Sequence, residues 1–308
     1  MTTTAQNILK TLGYFDLFQY PLTRTEIGQF HAVNTSHEEI DAALDLLVDE
    51  KMVFLLDEFY SLQNDPGLAE RRRNGNRLAH SQMQTAGRVA RFLAKFPYVK
   101  GIAVSGSLSK NFATKNTDID FFIVTDANRL WIARTVMHLY KKFTFLTGRQ
   151  HWYCMNYYVD VKCMEIKEKN IFTAIESVTL LPMQGKKAMD DFMRHNNWVS
   201  EYFPSKKILT DDTPEINPGL VRRATEKIFN SRLGDKIDAW LMRITEKRWQ
   251  KKTKRRQLNS SGHVMSMIAN RHVSKPDPRN FQDKVIEKYR AKVQQLLQVK
   301  DKAVSVVL

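Results

Sequence analysis

At 308 residues the chain is longer than a single hydrophobic core usually organises, and its net charge of +15 points to phosphate-bearing or acidic partners, so two or three domains are expected. No run approaches the roughly 18 uninterrupted apolar residues of a membrane span, and the N-terminus lacks the basic region and small-residue cleavage site of a signal peptide. The only cysteines, Cys154 and Cys163, exclude a disulfide framework, lack the companions of a zinc site, and read as reduced, half-buried strand residues of a cytoplasmic protein.

An apolar-periodic helix is expected from about Ala5 to Phe18, stopping before Pro21. Thr23 with Glu26, and Ser36 with Glu39, are capping-box patterns for a short helix and for a longer one reaching Glu50. Met52 to Leu56 and Phe59 to Leu62 then read as a hairpin turning at Asp57-Glu58. Three helices and a hairpin resemble a winged helix, which gives a first module over residues 1–64. Its first 63 residues hold three basic side chains against ten acidic ones, a net −7, which leaves +22 for the remainder. DNA would repel such a surface, so a packing or partner-docking role is expected instead of DNA binding.

Asn64-Asp65-Pro66-Gly67 is a turn cluster and a domain boundary. A long helix from Leu68 to Phe96 should feed a strand from Val99 to Ser105, which ends at Gly106-Ser107. A glycine there lets a phosphate approach the backbone, while Ser107 offers a hydroxyl and an N–H at the start of a following helix. Lys110 is close enough in sequence to reach the same phosphates. Asp118-Ile119-Asp120 then opens another apolar run. Strand alternation puts both carboxylates on one face, with Ile119 and Phe121 on the other. Two adjacent carboxylates repel unless a divalent cation lies between them, and Mg²⁺ or Mn²⁺ held by carboxylates plus substrate phosphates is the usual arrangement.

Arg129 to Leu146 is a helix stopped by Gly148; His151 to Val159 and Lys162 to Ile166 read as a strand pair; Phe172 to Thr179 is a helix ending before Pro182. Alternation along the first of these strands places Asn156, Tyr158 and Asp160 on one face. Glu176 reads as a helix-face charge or the partner of an internal lysine or arginine. The eight histidines show no metal spacing, and Met137, Met155 and Met164 fall at core positions. Beyond Gly185, helices are expected over Lys186 to Tyr202, Leu220 to Lys254 and Asn280 to Gln298, with flexible Asn259 to Gly262 and a turn at Lys275 to Pro278. The basic run Arg243 to Arg256 either attracts nucleic acid, with Trp249 stacking on a base, or is a solvated helix face.

Val104-Ser105-Gly106-Ser107 followed by Asp118-Ile119-Asp120-Phe121 resembles the signature of the DNA polymerase β-like nucleotidyltransferase superfamily, with a minimal, kanamycin-nucleotidyltransferase-like core. The likeness covers about Ala86 to Asp126 and extends toward Gly185. It implies an α+β fold: the winged-helix-like module, a nucleotidyltransferase mixed sheet with flanking helices over residues 65–185, and a helical, basic region over residues 186–308 that closes one wall of the acceptor cleft. It further implies Mg²⁺-dependent transfer of a nucleoside monophosphate from an NTP such as ATP to an acceptor hydroxyl, with release of pyrophosphate. Asp118 and Asp120 would hold the metal, and Gly106, Ser107 and Lys110 the phosphates. The third catalytic carboxylate that the resemblance implies is assigned to Asp160, with Glu165 as second choice. The acceptor stays open, a small molecule standing ahead of RNA or protein. The alternative from another class is a non-catalytic nucleotide- or RNA-binding protein that docks a partner through the N-terminal module.

Overall fold

The computed structural model describes residues 1–256, 267–277 and 280–304. The N-terminal elements are α1 (Thr3–Asp16), β1 (Leu22–Thr23), α2 (Arg24–Gln29), α3 (His37–Asp49), β2 (Phe54–Leu56) and β3 (Phe59–Ser61). Both capping boxes form: Thr23 and Ser36 each accept from the third helical amide, and Glu26 and Glu39 reach back to the cap. Helix α1 buries Ile8, Leu9, Leu12 and Phe15 along one stripe. The hairpin is joined by the two-residue β1, too short to leave a periodic signal, in an antiparallel sheet of order β1-β3-β2.

Helix α4 (Gly67–Leu93) starts at the expected boundary, yet its first turns pack into the N-terminal elements. Leu68 and Ala69 join Leu56 and Phe59 in one apolar cluster. Arg72 is 2% exposed. It donates to the Pro21 carbonyl at 2.5 Å and to Glu26 Oε1 at 2.6 Å, and its guanidinium lies 3.8 Å from the centre of the Tyr20 ring. Such a residue is tolerable inside because every face of the fork meets an acceptor or a π-surface.

The remaining elements are β4 (Val99–Val104), β5 (Asp120–Thr125), α5 (Leu130–Thr144), β6 (Cys154–Asp160), α6 (Ile171–Val178), β7 (Leu181–Gln184), α7 (Lys186–His195), α8 (Leu220–Phe229), α9 (Arg232–Arg256), β8 (Ile268–Ala269), β9 (Val273–Lys275) and α10 (Phe281–Val304). The strands form a mixed six-stranded sheet of order β7-β4-β5-β6-β9-β8, with β5 and β6 parallel and the other neighbours antiparallel. One face carries Ile102, Val104, Phe121, Ile123, Met155 and Tyr158 into a core shared with α4 and α5. The opposite face carries Ala103, Phe122, Val124 and Val159 into a core shared with α1, α6, α7 and α10. Helix α1 runs against α10, where Lys292 pairs with Asp16 at 2.9 Å and the rings of Tyr14 and Tyr289 meet edge to face at 5.7 Å.

Three expectations are corrected. Residues 162–166 form no strand; β6 pairs instead with β9, from a region in which no strand is expected. That pairing satisfies the outer hydrogen-bonding edge of β6, which sequence periodicity cannot assign to a partner so far along the chain. Leu181–Gln184, just past the helix expected over Phe172 to Thr179, adds strand β7 at the edge of the sheet. The predicted single helix from Leu220 divides into α8 and α9 around Asn230-Ser231, with the Gly234 amide reaching the Ser231 hydroxyl. Trp249 is buried, with Arg134 5.3 Å from its ring centre, so it packs on α5 and offers no face to a base. The Asn259 to Gly262 stretch lies outside the described residues. Among the described residues no helix is long and apolar enough to cross a membrane.

Arg72→Ala strips Glu26 Oε1 of its cation and the Pro21 carbonyl of its donor, and should lower the unfolding free energy by about 3 kcal/mol. Arg73→Ala is the control: its pairs with Asp57 and Glu58 are exposed and screened by solvent, and its loss should leave stability nearly unchanged. Urea denaturation of both variants measures the difference.

Candidate active site

Because β4 and β5 are antiparallel, the end of β4 lies beside the start of β5. Val104 pairs with Phe121, and the Ser105 amide donates to the Asp120 carbonyl at 2.9 Å. Gly106 follows at φ 68°, and a Cβ there would stand 2.5 Å from Asp120 Oδ2, so the approach of loop to carboxylate requires glycine. A 3-10 turn over Leu108–Lys110 replaces the expected helix start. Ser109 Oγ and Lys110 Nζ both donate to the Gly106 carbonyl, at 2.9 and 3.0 Å, which turns the lysine back over the loop.

The ladder begins only at Asp120. Ile119 and Phe121 are buried beneath α4 and α5, and Asp120 faces the other side, that of Phe122, while Asp118, ahead of the strand, is near enough for its charge to raise the Asp120 carboxyl. Asp118 is 43% exposed, and its Oδ1 lies 2.5 Å from His151 Nδ1. Asp120 Oδ1 accepts from Asn156 Nδ2 at 2.6 Å. Burial pushes the Asp120 carboxyl up to about 6; the Cys154 thiol opposes the shift, and the charges of Asp118 and Glu176 add to it. No spacing in the chain announces the contact of His151 with Asp118.

Asp120 opens onto a cavity of about 600 Å³ whose wall also includes Gly106, Ser107, Lys110, Asn156 and Glu176. Glu176 Oε1 lies 2.9 Å from Lys110 Nζ, which fulfils its reading as the partner of an internal lysine. Its position in the cavity was missed, since a single glutamate in a helix pattern carries no signal of what the helix faces. Tyr14, Phe15, Phe18 and Tyr20 extend the same wall from the N-terminal module. Tyr20 also donates its hydroxyl to the Lys110 carbonyl, fastening the module to the glycine turn.

Asp160 is not brought to the pair. In the parallel ladder Asp120 stands opposite Cys154, whereas Asp160 stands opposite Thr125 at the far end of β5. The expected alternation fails because of a bulge: Phe121 pairs with Met155 and Phe122 with Tyr157, leaving Asn156 unpaired. The extra residue keeps Asn156 beside Asp120 and turns Asp160 to the other face. There its buried carboxylate accepts from the Asn128 and Lys162 amides, each at 2.9 Å, and meets His272 Nδ1 at 2.7 Å. Glu165 is also displaced: it sits outside any strand, exposed and paired with Lys169 at 2.8 Å. Glu176 and Asp277 share the cavity with Asp120; Asp277 is occupied in accepting from the Phe281 and Gln282 amides at the start of α10, whereas Glu176 lies against Lys110.

Among the described residues no three His, Cys, Asp or Glu side chains converge as a metal cage. Asp118 and Asp120 nonetheless fit a hard divalent cation. They are two oxygen donors whose mutual repulsion is registered in the raised Asp120 carboxyl, and Mg²⁺ characteristically completes its shell with water and substrate phosphate.

Residues 88–182, from within α4 to the second residue of β7, match the family model of the nucleotidyltransferase domain, consistent with the polymerase β-like superfamily. The matched segment includes the glycine turn, both aspartates, Asn156 and Glu176. No curated protein matches the chain, and no solved structure does.

The raised Asp120 carboxyl yields a pH-dependent stability. Its contribution is present below the unfolded value of 3.8 and is lost as pH rises through about 6. In chelator, Asp120→Asn should therefore match the wild type near pH 4 and exceed its stability at pH 8 by about 1–3 kcal/mol. Saturating Mg²⁺ at pH 8 should reduce that excess. Thermal unfolding across the two pH values, with and without metal, reads all three.

Proposed function

We infer that the chain is an active, divalent-metal-dependent nucleotidyltransferase that moves a nucleoside monophosphate from an NTP to an acceptor hydroxyl and releases pyrophosphate. The observation that supports this most directly is the contact of Gly106, in its left-handed conformation, with Asp120 at the mouth of the cavity. It sets a phosphate-accepting turn against a carboxylate pair.

In this reading Asp118 and Asp120 hold the metal, Mg²⁺ or Mn²⁺. When bound, the ion would supply positive charge to the α-phosphate and lower the cost of forming the acceptor alkoxide. Asn156 fixes the Asp120 carboxylate by its 2.6 Å hydrogen bond, so that one oxygen is already oriented. Gly106 and Ser107 present backbone and hydroxyl donors to the β- and γ-phosphates. Lys110, half released from Glu176 by a competing phosphate, adds a point charge. The acceptor oxygen bonds to the α-phosphorus as the bond to the pyrophosphate oxygen breaks; the acceptor proton passes to Glu176, and pyrophosphate leaves with the electron pair. Glu176 takes the role assigned from sequence to Asp160. The winged-helix-like module contributes the aromatic wall, and α10 closes it, in a three-part organisation of module, catalytic core and C-terminal region.

Incubation of the purified protein with each α-labelled NTP, Mg²⁺ and a cell extract tests the reading, with label transfer expected. Asp118→Ala and Asp120→Ala should each reduce transfer about 10³-fold or more. Glu176→Gln should cost on the order of 10²-fold, while Glu165→Gln leaves transfer unchanged. Full turnover in either alanine variant would remove the metal assignment.

A further inference from the structure

One part of the cavity wall has a composition of its own. Phe18 of the α1–β1 connection, Phe172 of α6 and Phe281 of α10 form a contiguous aromatic wall, with ring centres 6.4 Å apart for Phe18 and Phe281 and 5.9 Å for Phe172 and Phe281. Within this apolar lining are two hydroxyls that have no hydrogen-bond partner among the described residues, Tyr14 Oη and Ser177 Oγ. Both side chains line the cavity, and both are almost completely buried, with relative exposures of 2% and 3%. A buried hydroxyl left unpaired costs about 1–3 kcal/mol, so two in one chamber call for a partner that the protein itself does not supply. Glu176 links this wall to the glycine turn: Lys110 lies against it on the phosphate side, Ser177 follows it in the chain, and its charge is the second cause, after burial, of the raised Tyr14 pKa.

We propose that this chamber is the acceptor subsite, and that it takes a small, flat, largely apolar molecule bearing hydroxyl groups, an aryl or polycyclic alcohol, held by Tyr14 and Ser177 with one hydroxyl presented to Glu176. This rests on the transferase reading above and specifies its substrate class. About 600 Å³ has to hold the donor phosphates as well as the acceptor, which suits a drug-sized ligand. A nucleic-acid strand would have to present its phosphates to a chamber walled by Phe18, Phe172 and Phe281, whose lining cations are Arg71, Lys110 and Lys275, with Lys110 already paired with Glu176 and Lys275 with Glu168 and Gln282. The N-terminal module is thereby a specificity element: Tyr14 and Phe18 come from it, and its net negative charge is immaterial to a neutral acceptor.

Naphthol, a fluorescent hydroxyarene, is the probe, titrated into the full-length protein without nucleotide and again with Mg²⁺ and ATP. Saturable binding to the wild type is expected in both conditions. Tyr14→Phe and Ser177→Ala should each weaken it about threefold to tenfold, the size of one neutral hydrogen bond. Neither variant should lose thermal stability, because each removes a hydroxyl with no internal partner. Absence of saturable naphthol binding, or binding equally tight in both variants, overturns the proposal. So does displacement of naphthol by ATP, which would assign the chamber to the nucleobase, or by a single-stranded RNA oligomer, which would assign it to a polynucleotide. A marked fall in melting temperature for Tyr14→Phe would show the hydroxyl to be structural and would also overturn it. Because the titration needs no turnover, the chamber can fail while label transfer stands, and label transfer can fail while the chamber binds.

Discussion

The antiparallel pairing of β4 with β5 is the constraint on which the site depends. It brings the last residues of one strand against the first residues of the next, so that a loop glycine and a strand carboxylate meet although thirteen residues of chain, Ser107 to Ile119, separate Gly106 from Asp120. The contact leaves no room for a Cβ. Three polar side chains of the cavity are then arranged around that point: Asn156 from the parallel neighbour β6, Lys110 from the turn, and Glu176 from the helix that covers the sheet. The aspartate itself bears a cost for being there, visible as a carboxyl that burial holds partly protonated near neutrality. A cation is the natural relief of that cost, which makes stability and metal binding two aspects of the same electrostatics.

The N-terminal module is joined to this centre by more than a linker. Arg72 reaches from α4 into the module and is saturated there by Pro21, Glu26 and the Tyr20 ring. Tyr20 in turn bonds the Lys110 carbonyl, and α1 lies along α10. An acidic unit that would be repelled by nucleic acid therefore has an evident alternative use, as the aromatic wall of a cavity. The basic C-terminal helix carries the opposite charge, but Trp249, the tryptophan inside the basic run, faces inward and cannot stack on an unpaired base, and the exposed tryptophan of the helix, Trp240, lies ahead of that run.

Where sequence reasoning failed, the failures were local in cause. One bulge residue, Asn156, reversed the phase of β6 and sent Asp160 to the other face, where amides and His272 consume its lone pairs. Alternation is a rule about regular strands, and no residue type in Cys154 to Asp160 marks the irregularity. Strands β8 and β9 were hidden for a different reason: two or three residues give no period, and their value to the fold comes from the edge of β6 that they cover.

By itself the sequence determined what depends on near neighbours. The capping boxes at Thr23 and Ser36, the buried stripe of α1, the glycine turn and the facing of Asp120 away from its neighbours Ile119 and Phe121 all follow from spacings of four residues or fewer, acting through fixed backbone geometry. Tertiary structure alone decided that Glu176 shares the cavity, because it arrives there through the packing of α6 and not through any pattern in its own segment. It also decided that His151 meets Asp118, that Tyr14 and Ser177 are left without partners, and that residues more than two hundred and fifty positions apart, Phe18 and Phe281, stand against each other in one wall. Such contacts are set by which faces remain to be buried once the local elements have formed, and that is a property of the whole chain.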